Sequence, residues 1–144
     1  MSPFWREPDY NSPEYEISGT WGRMDRFRVE HQKLLSAFST VVVAERGGVI
    51  ESIAGSIEPT PGTIRDFLIR VPSRYPYEEP KAYSVGWQIQ GPHHYGDSQM
   101  CLWRSSQWKK SYSLAYAVAK TFTFIHKHEA YVEYGVWPGN EQKH

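Results

Sequence analysis

Apolar residues recur at three- and four-residue spacing between residues 21 and 38, a pattern that predicts an amphipathic helix. Ser18 or Thr20 can cap its start. His31 lies on or near the apolar face, so we expect a packed, hydrogen-bonded residue there rather than a metal ligand. The apolar residues that define this face are Met24, Phe27, Leu34, Leu35 and Phe38.

A second helical pattern runs from Ser113 to about Glu133, a stretch without proline or glycine. Its spacing predicts a long, largely buried helix that Ser111 or Ser113 can cap. His126 and His128 lie about 200° apart around such a helix, so they cannot face one metal ion together. We therefore expect them to be structural or surface residues.

Between the two helices, a short β-branched run is followed by segments in which apolar and polar residues alternate with a period of two, and both patterns predict β-strands. Gly47-Gly48 and the segment 59–62 are turn sequences that separate consecutive strands. Consecutive strands joined by short turns form an antiparallel meander, so four strands in that arrangement are expected. They cover residues 40–44, 49–57, 65–71 and 81–85.

The first twenty residues combine three prolines with acidic and aromatic residues, a composition that disfavours regular structure. We expect an extended arm over residues 1–20 that packs on the domain or on a partner. A chain of 144 residues suits one domain, which we place at residues 21–144 with a short, turn-rich tail.

Charge and hydropathy narrow the possible partners. Lysine plus arginine equal aspartate plus glutamate, 16 each, so no global basic field attracts nucleic acid or anionic lipid. No apolar run approaches the roughly 18 residues of a membrane span. The N-terminal residues lack a signal-peptide pattern, and a single cysteine fits a reducing compartment. We therefore expect a cytoplasmic protein that binds neither nucleic acid nor membrane.

The only cysteine, Cys101, lies in a polar, turn-rich segment between the pair His93-His94 and Trp108. Without a second cysteine it cannot form an internal disulfide, so it is core filler, a metal ligand or a nucleophile. Lone cysteines are mostly small buried hydrophobic residues. Cys101, however, follows a polar turn at residues 96–98, a setting that favours a loop presenting one thiol.

A thiol with an ordinary pKa of about 8.5 can still accept an acyl group from another thioester without a strong base. Transfer to an amine or to water then passes through an oxyanion that needs a hydrogen-bond donor. For His93 and His94 alike, a structural role with a hydrogen bond to backbone is an equal alternative to a catalytic role. A zinc site would need about four ligands, and this segment supplies at most three, so no metal is expected. Candidate oxyanion donors are backbone amides and the side chains of His93, His94, Ser98 and Gln99.

The predicted order of elements, with three local sequences, resembles the catalytic domain of ubiquitin-conjugating enzymes over roughly residues 21–132. Residues 71–81, VPSRYPYEEPK, resemble the flap of that family, and residues 97–102, DSQMCL, resemble its active-site run. Residues 106–108, SQW, resemble the tryptophan segment that closes the active-site loop. The implied fold is α+β and UBC-like: an N-terminal helix, a four-stranded antiparallel meander, an active-site cysteine loop and a long C-terminal helix.

The resemblance implies an enzyme, an acyltransferase that uses a cysteine thioester. Cys101 would accept the C-terminus of a protein as a thioester and transfer it to an amine, with no cofactor. The candidate catalytic residues are Cys101, His94 and His93, and the candidate supporting residues are Asp97, Ser98, Trp108, Tyr75 and Pro76.

Three departures from the family pattern suggest a particular kind of relative. The family's His-Pro-Asn is replaced by residues 92–95, PHHY, without asparagine, and Glu79 replaces the first proline of a pair. Two C-terminal helices of eukaryotic members are not expected here. A domain with these departures resembles bacterial relatives from anti-phage and ubiquitin-like conjugation operons. The implied partners are an activating enzyme and either a ubiquitin-like protein or the C-terminus of a cGAS-like nucleotidyltransferase.

Two other functions use the same residues. A cysteine-dependent hydrolase would pair Cys101 with His93 or His94 as a base and would turn over without ATP or an activating enzyme. A non-catalytic variant of the same fold would bind a ubiquitin-like protein. The retained cysteine counts against this variant, because such binding modules lose the thiol.

Overall fold

The alternating segments of the sequence form one antiparallel sheet in the computed structural model, which describes residues 5–139. The sheet order is β1-β2-β3-β4-β6-β5, so the fold is α+β, as predicted, but the sheet has six strands rather than four. The two extra strands are two residues each and come from the segment before Cys101. The strands are β1 (Val42–Arg46), β2 (Val49–Thr60), β3 (Thr63–Arg70), β4 (Lys81–Val85), β5 (His94–Tyr95) and β6 (Gln99–Met100).

The turns between the strands follow the predicted glycines. Gly47 and Gly48 both have positive φ, 59° and 82°, as a tight hairpin between β1 and β2 requires. The next turn is shorter than predicted, because Pro59 and Thr60 belong to β2 and Thr60 pairs with Thr63. The register of β2 shifts between Ile57 and Thr60, so Pro59 lies where the hydrogen-bond ladder is already interrupted.

The first helix, α1 (Arg23–Ala37), begins at Gly22, which has no side chain to cap it. The predicted caps at Ser18 and Thr20 are therefore wrong, since both residues precede the N-cap position. Phe27 and Leu34 are buried as predicted, whereas Met24 and Leu35 are exposed. The buried face contains the carboxylate of Glu30 instead.

The second helix, α2 (Leu114–Tyr134), has the predicted cap. Ser113 Oγ accepts a hydrogen bond from the Tyr116 backbone N–H at 3.2 Å. The helix ends at Gly135 with φ of 76°, the left-handed conformation usual at a helix C-terminus. Its buried face lies against the sheet and α1 and supplies much of the core. The core residues from this helix include Leu114, Ala115, Ala117, Val118, Phe124 and Ile125.

The described part of the N-terminal arm packs on the domain. Ile17 N–H donates to the Ser111 carbonyl at 2.7 Å, and Ser113 N–H donates to the Tyr15 carbonyl at 3.0 Å. Tyr15 and Ile17 are buried, so the arm covers the start of α2. The remaining residues of the predicted arm and tail, 1–4 and 140–144, lie outside the described range. Within residues 5–139, no helix combines the length and apolarity needed to cross a membrane.

Candidate active site

Cys101 follows β6 directly, and its backbone holds it against the neighbouring hairpin. The Cys101 N–H donates to the His93 carbonyl at 2.9 Å, which continues the pairing of β5 with β6. The side chain is only 5% exposed, so the prediction of a thiol presented by an open loop is wrong. Leu102 and Trp103 are buried as well, and they draw the chain, with Cys101, into the interior.

The cysteine lies between two small cavities, each with about the volume of one water molecule. One, of about 30 Å³, is lined by Cys101 together with His93, Lys120 and Trp137. The other, of about 20 Å³, is lined by Cys101 together with residues that include Glu79 and Tyr95. The thiol is therefore enclosed, but it is not tightly packed on either side.

Tyr95 covers the sulfur on the side of the smaller cavity, and sequence analysis did not identify it as a site residue. Its hydroxyl lies 3.5 Å from Cys101 Sγ, while the Trp103 carbonyl accepts from the thiol at a longer distance of 3.7 Å. Tyr95 is 51% exposed, so the residue nearest the sulfur is also at the surface. No sequence signal identified it, because its position depends on pairing with Gln99 in a hairpin whose strands are only two residues long.

Burial raises the pKa of the Cys101 thiol above its ordinary value. The Tyr95 hydroxyl stabilises the thiolate and lowers this pKa, whereas the negative charge of Glu79 raises it. The net effect is a raised pKa, so the enclosed thiol is protonated at neutral pH and is a weaker nucleophile than an exposed one.

The two candidate histidines occupy different environments. His93 has a φ of 70°, which is unusual for a residue other than glycine, and its ring meets the Trp137 ring edge-on at 5.0 Å. It shares the larger of the two cavities with Cys101. The ring of His94 instead forms a hydrogen bond through Nδ1 with the Gly96 carbonyl, and among the described residues it lines neither cavity. The structure therefore brings His93, but not His94, together with the cysteine.

The cysteine loop, residues 92–108, is fixed to β4 and to the segment after β4 by the backbone carbonyls of Asp97 and Ser98. The Asp97 carbonyl accepts from the Ile89 N–H at 3.1 Å, and the Ser98 carbonyl accepts from the Ser84 N–H at 2.8 Å. Asp97 also accepts from the Gln88 side chain at 3.2 Å. Both residues support the loop, and this support depends mainly on backbone rather than on side-chain chemistry.

The segment after Cys101 is fixed to the flap, residues 71–81. Trp108 Nε1 donates to the Pro76 carbonyl at 2.8 Å, and the Trp108 and Tyr75 rings lie 6.0 Å apart. Ser105 Oγ donates to Glu79 at 3.1 Å from the same side. These contacts hold the flap and the cysteine loop together as one surface.

A buried polar network lies beneath the flap. Tyr75 is buried, and its hydroxyl donates to the carboxylate of Glu30, which is itself 0% exposed. Glu30 also accepts from the Leu114 N–H at 2.8 Å and from Arg26 Nε at 3.4 Å. Burial raises the pKa of Glu30, and the three donors oppose this effect. The network joins α1, the flap and the start of α2.

The histidines of α2 are structural, in agreement with the prediction. His128 Nδ1 lies 2.6 Å from the Glu129 carboxylate, and its Nε2 accepts from the Gln90 N–H at 3.0 Å. His126 stacks on Trp5 at 4.6 Å, and burial lowers its pKa to about 4. Across residues 5–139, no group of three or more His, Cys, Asp or Glu side chains is arranged to hold a metal ion.

The site offers one thiol, an imidazole on the same cavity and a hydroxyl next to the sulfur. A thiol can form a thioester, and an imidazole or a hydroxyl can donate to an oxyanion, so these groups suit acyl transfer. No protein-family model matches the chain, and no curated protein sequence matches it. The function is therefore inferred from the residues of the site and their geometry.

Proposed function

We propose that the protein is a ubiquitin-conjugating-enzyme-like acyltransferase with a UBC-like fold. Cys101 accepts the C-terminus of a protein as a thioester and transfers it to an amine. The observation that best supports this proposal is the clamp between the flap and the cysteine loop. In that clamp, Trp108 Nε1 donates to the Pro76 carbonyl at 2.8 Å above the buried ring of Tyr75.

The reaction has two balanced steps. In loading, Cys101 Sγ attacks the carbonyl carbon of an incoming thioester, the old carbon–sulfur bond breaks, and the thiol proton passes to the leaving sulfur. In transfer, an amine nitrogen attacks the carbonyl carbon of the new thioester, the bond from that carbon to Cys101 Sγ breaks, an amide forms, and a proton from the amine passes to Cys101 Sγ. The Cys101 N–H is already bonded to the His93 carbonyl, so the nearby side-chain donor for the oxyanion is the imidazole of His93.

Loading requires that the sulfur become accessible. At 5% exposure, the sulfur cannot be reached by a protein C-terminus while Tyr95 covers it. Tyr95 is half exposed and belongs to a strand of only two residues, so its side chain can turn outward without disturbing the main sheet. Binding of the loaded partner would supply the energy for this movement and would hydrate the thiol.

The partners follow from the resemblance. We propose a bacterial conjugation or anti-phage defence system in the cytoplasm, with a separate activating enzyme. The carried group is a ubiquitin-like protein or the C-terminus of a cGAS-like nucleotidyltransferase. The chain itself needs no metal or organic cofactor for these steps, because the activating enzyme consumes the ATP.

A cysteine-dependent hydrolase is the second candidate, and one observation favours it. His93 and Cys101 line the same cavity, so an imidazole is available next to the thiol as the base that a hydrolase needs. A hydrolase attacks an amide or an ester unaided, whereas a conjugating thiol accepts only a group that has already been activated.

Loading can be tested in the native host, with and without ATP depletion, on a non-reducing gel. Since Cys101 is the only cysteine, a reductant-sensitive shift of this chain reports on Cys101 alone. We expect a band that requires ATP, is absent for Cys101→Ala, and becomes resistant to reductant for Cys101→Ser, which forms an oxygen ester. Mass spectrometry of the adduct identifies the carried group.

The outcomes separate the candidates. A band that forms without ATP supports the hydrolase and contradicts the conjugating proposal. A complete absence of adducts, with tight binding of a ubiquitin-like protein, supports the non-catalytic module. If the carried group is a nucleotidyltransferase, deletion of its last residue abolishes the shift.

A further inference from the structure

A cavity of about 590 Å³ is separate from the cysteine site. It lies between the arm-to-helix turn at residues 17–21, the first turns of α1 and the flap, and Cys101 is not part of its wall. Its volume falls within the range of small-molecule sites, roughly 300–1,000 Å³. A ligand of moderate size can therefore fit beside the flap without contacting the thiol.

The wall of this cavity is strongly basic. It includes Arg23, Arg26, Arg74 and Lys110 and contains no aspartate or glutamate. The whole chain carries equal numbers of basic and acidic residues, 16 each, so this concentration is local. Clustered cations around a concave surface attract anions more strongly than isolated surface charges do.

Three of these four cations have no ion-pair partner among residues 5–139. Arg26 pairs with the buried carboxylate of Glu30 and so belongs to the structural network. Arg23 donates to the neutral backbone carbonyls of Ser73 at 3.2 Å and Tyr75 at 3.5 Å, and it forms no ion pair among residues 5–139. Arg74 and Lys110 are exposed and form no ion pair with any residue in the range 5–139.

Aromatic rings line the same cavity and remain partly open to solvent. Trp21 is 45% exposed, although its Nε1 donates to the Ser18 carbonyl at 2.8 Å and so fixes the ring. Tyr77 is 75% exposed, and Lys110 Nζ lies 5.9 Å from the centre of its ring. Exposed aromatic faces beside cations are suited to a ligand that has both a planar ring and a negative charge.

We propose that this cavity binds a nucleoside phosphate. Arg23, Arg74 and Lys110 hold the phosphate oxygens, and the base stacks on the ring of Trp21 or Tyr77. This site goes beyond the proposed acyl transfer and does not depend on it.

Titration of the full-length chain with ATP, GTP, CTP and UTP tests the proposal, with salt at about 0.15 M to screen weak surface attraction. Calorimetry should show saturable binding of at least one nucleotide. Arg74→Gln and Lys110→Gln should each weaken it about tenfold, since each removes a charged phosphate contact. Arg46→Gln is the matched control, because Arg46 is an exposed cation on the β1–β2 hairpin, outside the cavity.

Further ligands and variants test each half of the site. At least one of Trp21→Leu and Tyr77→Leu should reduce nucleotide affinity to that of inorganic tripolyphosphate, and normal nucleotide binding by both variants would contradict the proposal. Cys101→Ala should bind normally. Saturable nucleotide binding by Cys101→Ala would support this site even if acyl transfer were disproved.

Three further results would overturn the proposal: no saturable binding of any of the four nucleotides, an equal loss with Arg46→Gln, or tripolyphosphate binding as tightly as the nucleotides to the unaltered chain. A separate competition experiment uses a poly-glutamate peptide. If it bound with similar affinity, the ligand of this cavity would be an acidic protein segment and not a nucleotide.

Discussion

Glu30 and Cys101 are both buried ionisable residues, but the protein surrounds them very differently. The carboxylate of Glu30 receives hydrogen bonds from Tyr75, Arg26 and the Leu114 N–H. The sulfur of Cys101 has longer contacts, 3.5 Å to the Tyr95 hydroxyl and 3.7 Å to the Trp103 carbonyl, and its residue borders two small cavities.

The comparison separates a buried group that holds the fold from one to which we assign the proposed chemistry. Burial raises the pKa of both side chains. The donors around Glu30 offset the cost of its burial and join three elements, so its loss should damage the structure. Few strong contacts depend on the Cys101 sulfur, so its loss should leave the structure intact and remove the activity.

Glu30→Ala should produce the largest effect on stability. Removing the carboxylate leaves Arg26, the Tyr75 hydroxyl and the Leu114 N–H without their buried acceptor, and we expect a loss of about 3–5 kcal/mol in the free energy of unfolding. Urea denaturation measures this loss. Glu45→Ala is the control, because Glu45 pairs with His31 at the surface and should cost less than about 1 kcal/mol. Similar losses for both variants would contradict the structural role of the network.

Tyr75→Phe tests one hydrogen bond of the same network. The ring remains packed, but the carboxylate of Glu30 loses a donor, so we expect destabilisation by about 1–3 kcal/mol. The control is Tyr77→Phe, which removes a tyrosine hydroxyl two residues further along the chain, from a side chain that is largely exposed. It should change stability by less than about 0.5 kcal/mol. Thermal melting compares the two variants. A lower melting temperature for Tyr77→Phe than for Tyr75→Phe would disprove the role of the Tyr75 hydroxyl in the buried network.

Cys101→Ala should cost only about 1 kcal/mol, because one sulfur atom is lost beside cavities that already exist. Acyl carriage should nevertheless be abolished. Urea denaturation and the loading gel together check both parts. A loss above about 3 kcal/mol would show that Cys101 is core filler, and unchanged loading would remove it from the mechanism.

The elements that depend on local sequence were predictable. A β-branched run located β1, alternation located β2 and β3, and Gly47-Gly48 located a hairpin because both residues need positive φ. The cap of α2 at Ser113 follows from its position before an apolar helical pattern. The two-residue strands β5 and β6 were missed, since so short a segment has no measurable periodicity.

Features that depend on distant contacts were not predictable. Glu30 lies within the buried face of α1 because the flap and α2 bring donors to it, and no local pattern encodes that arrangement. The burial of Cys101 has the same origin, since it depends on how Leu102 and Trp103 enter the core. Polar residues around a cysteine indicate a loop but do not determine which side of the loop faces solvent.

The smallest predicted effect concerns the charge of Glu79. This carboxylate raises the pKa of the Cys101 thiol, so Glu79→Gln should lower that pKa and increase the thiolate fraction below it. Alkylation by iodoacetamide at pH 7.5 reports on the single cysteine and should become about twofold faster, the size expected for one charge acting across a partly solvated gap. Tyr95→Phe should have the opposite effect on the pKa, since its hydroxyl stabilises the thiolate.

Two controls separate the charge of Glu79 from its contact with the loop. Glu78→Gln removes the neighbouring exposed charge, which does not perturb the thiol, and should leave the alkylation rate unchanged. Ser105→Ala breaks the 3.1 Å hydrogen bond to Glu79 but keeps the carboxylate. If Ser105→Ala accelerates alkylation as much as Glu79→Gln does, release of the loop rather than electrostatics controls the thiol. If only Glu79→Gln does so, and its pH profile shifts towards lower pH with an unchanged maximum rate, the charge at position 79 sets the reactivity of Cys101.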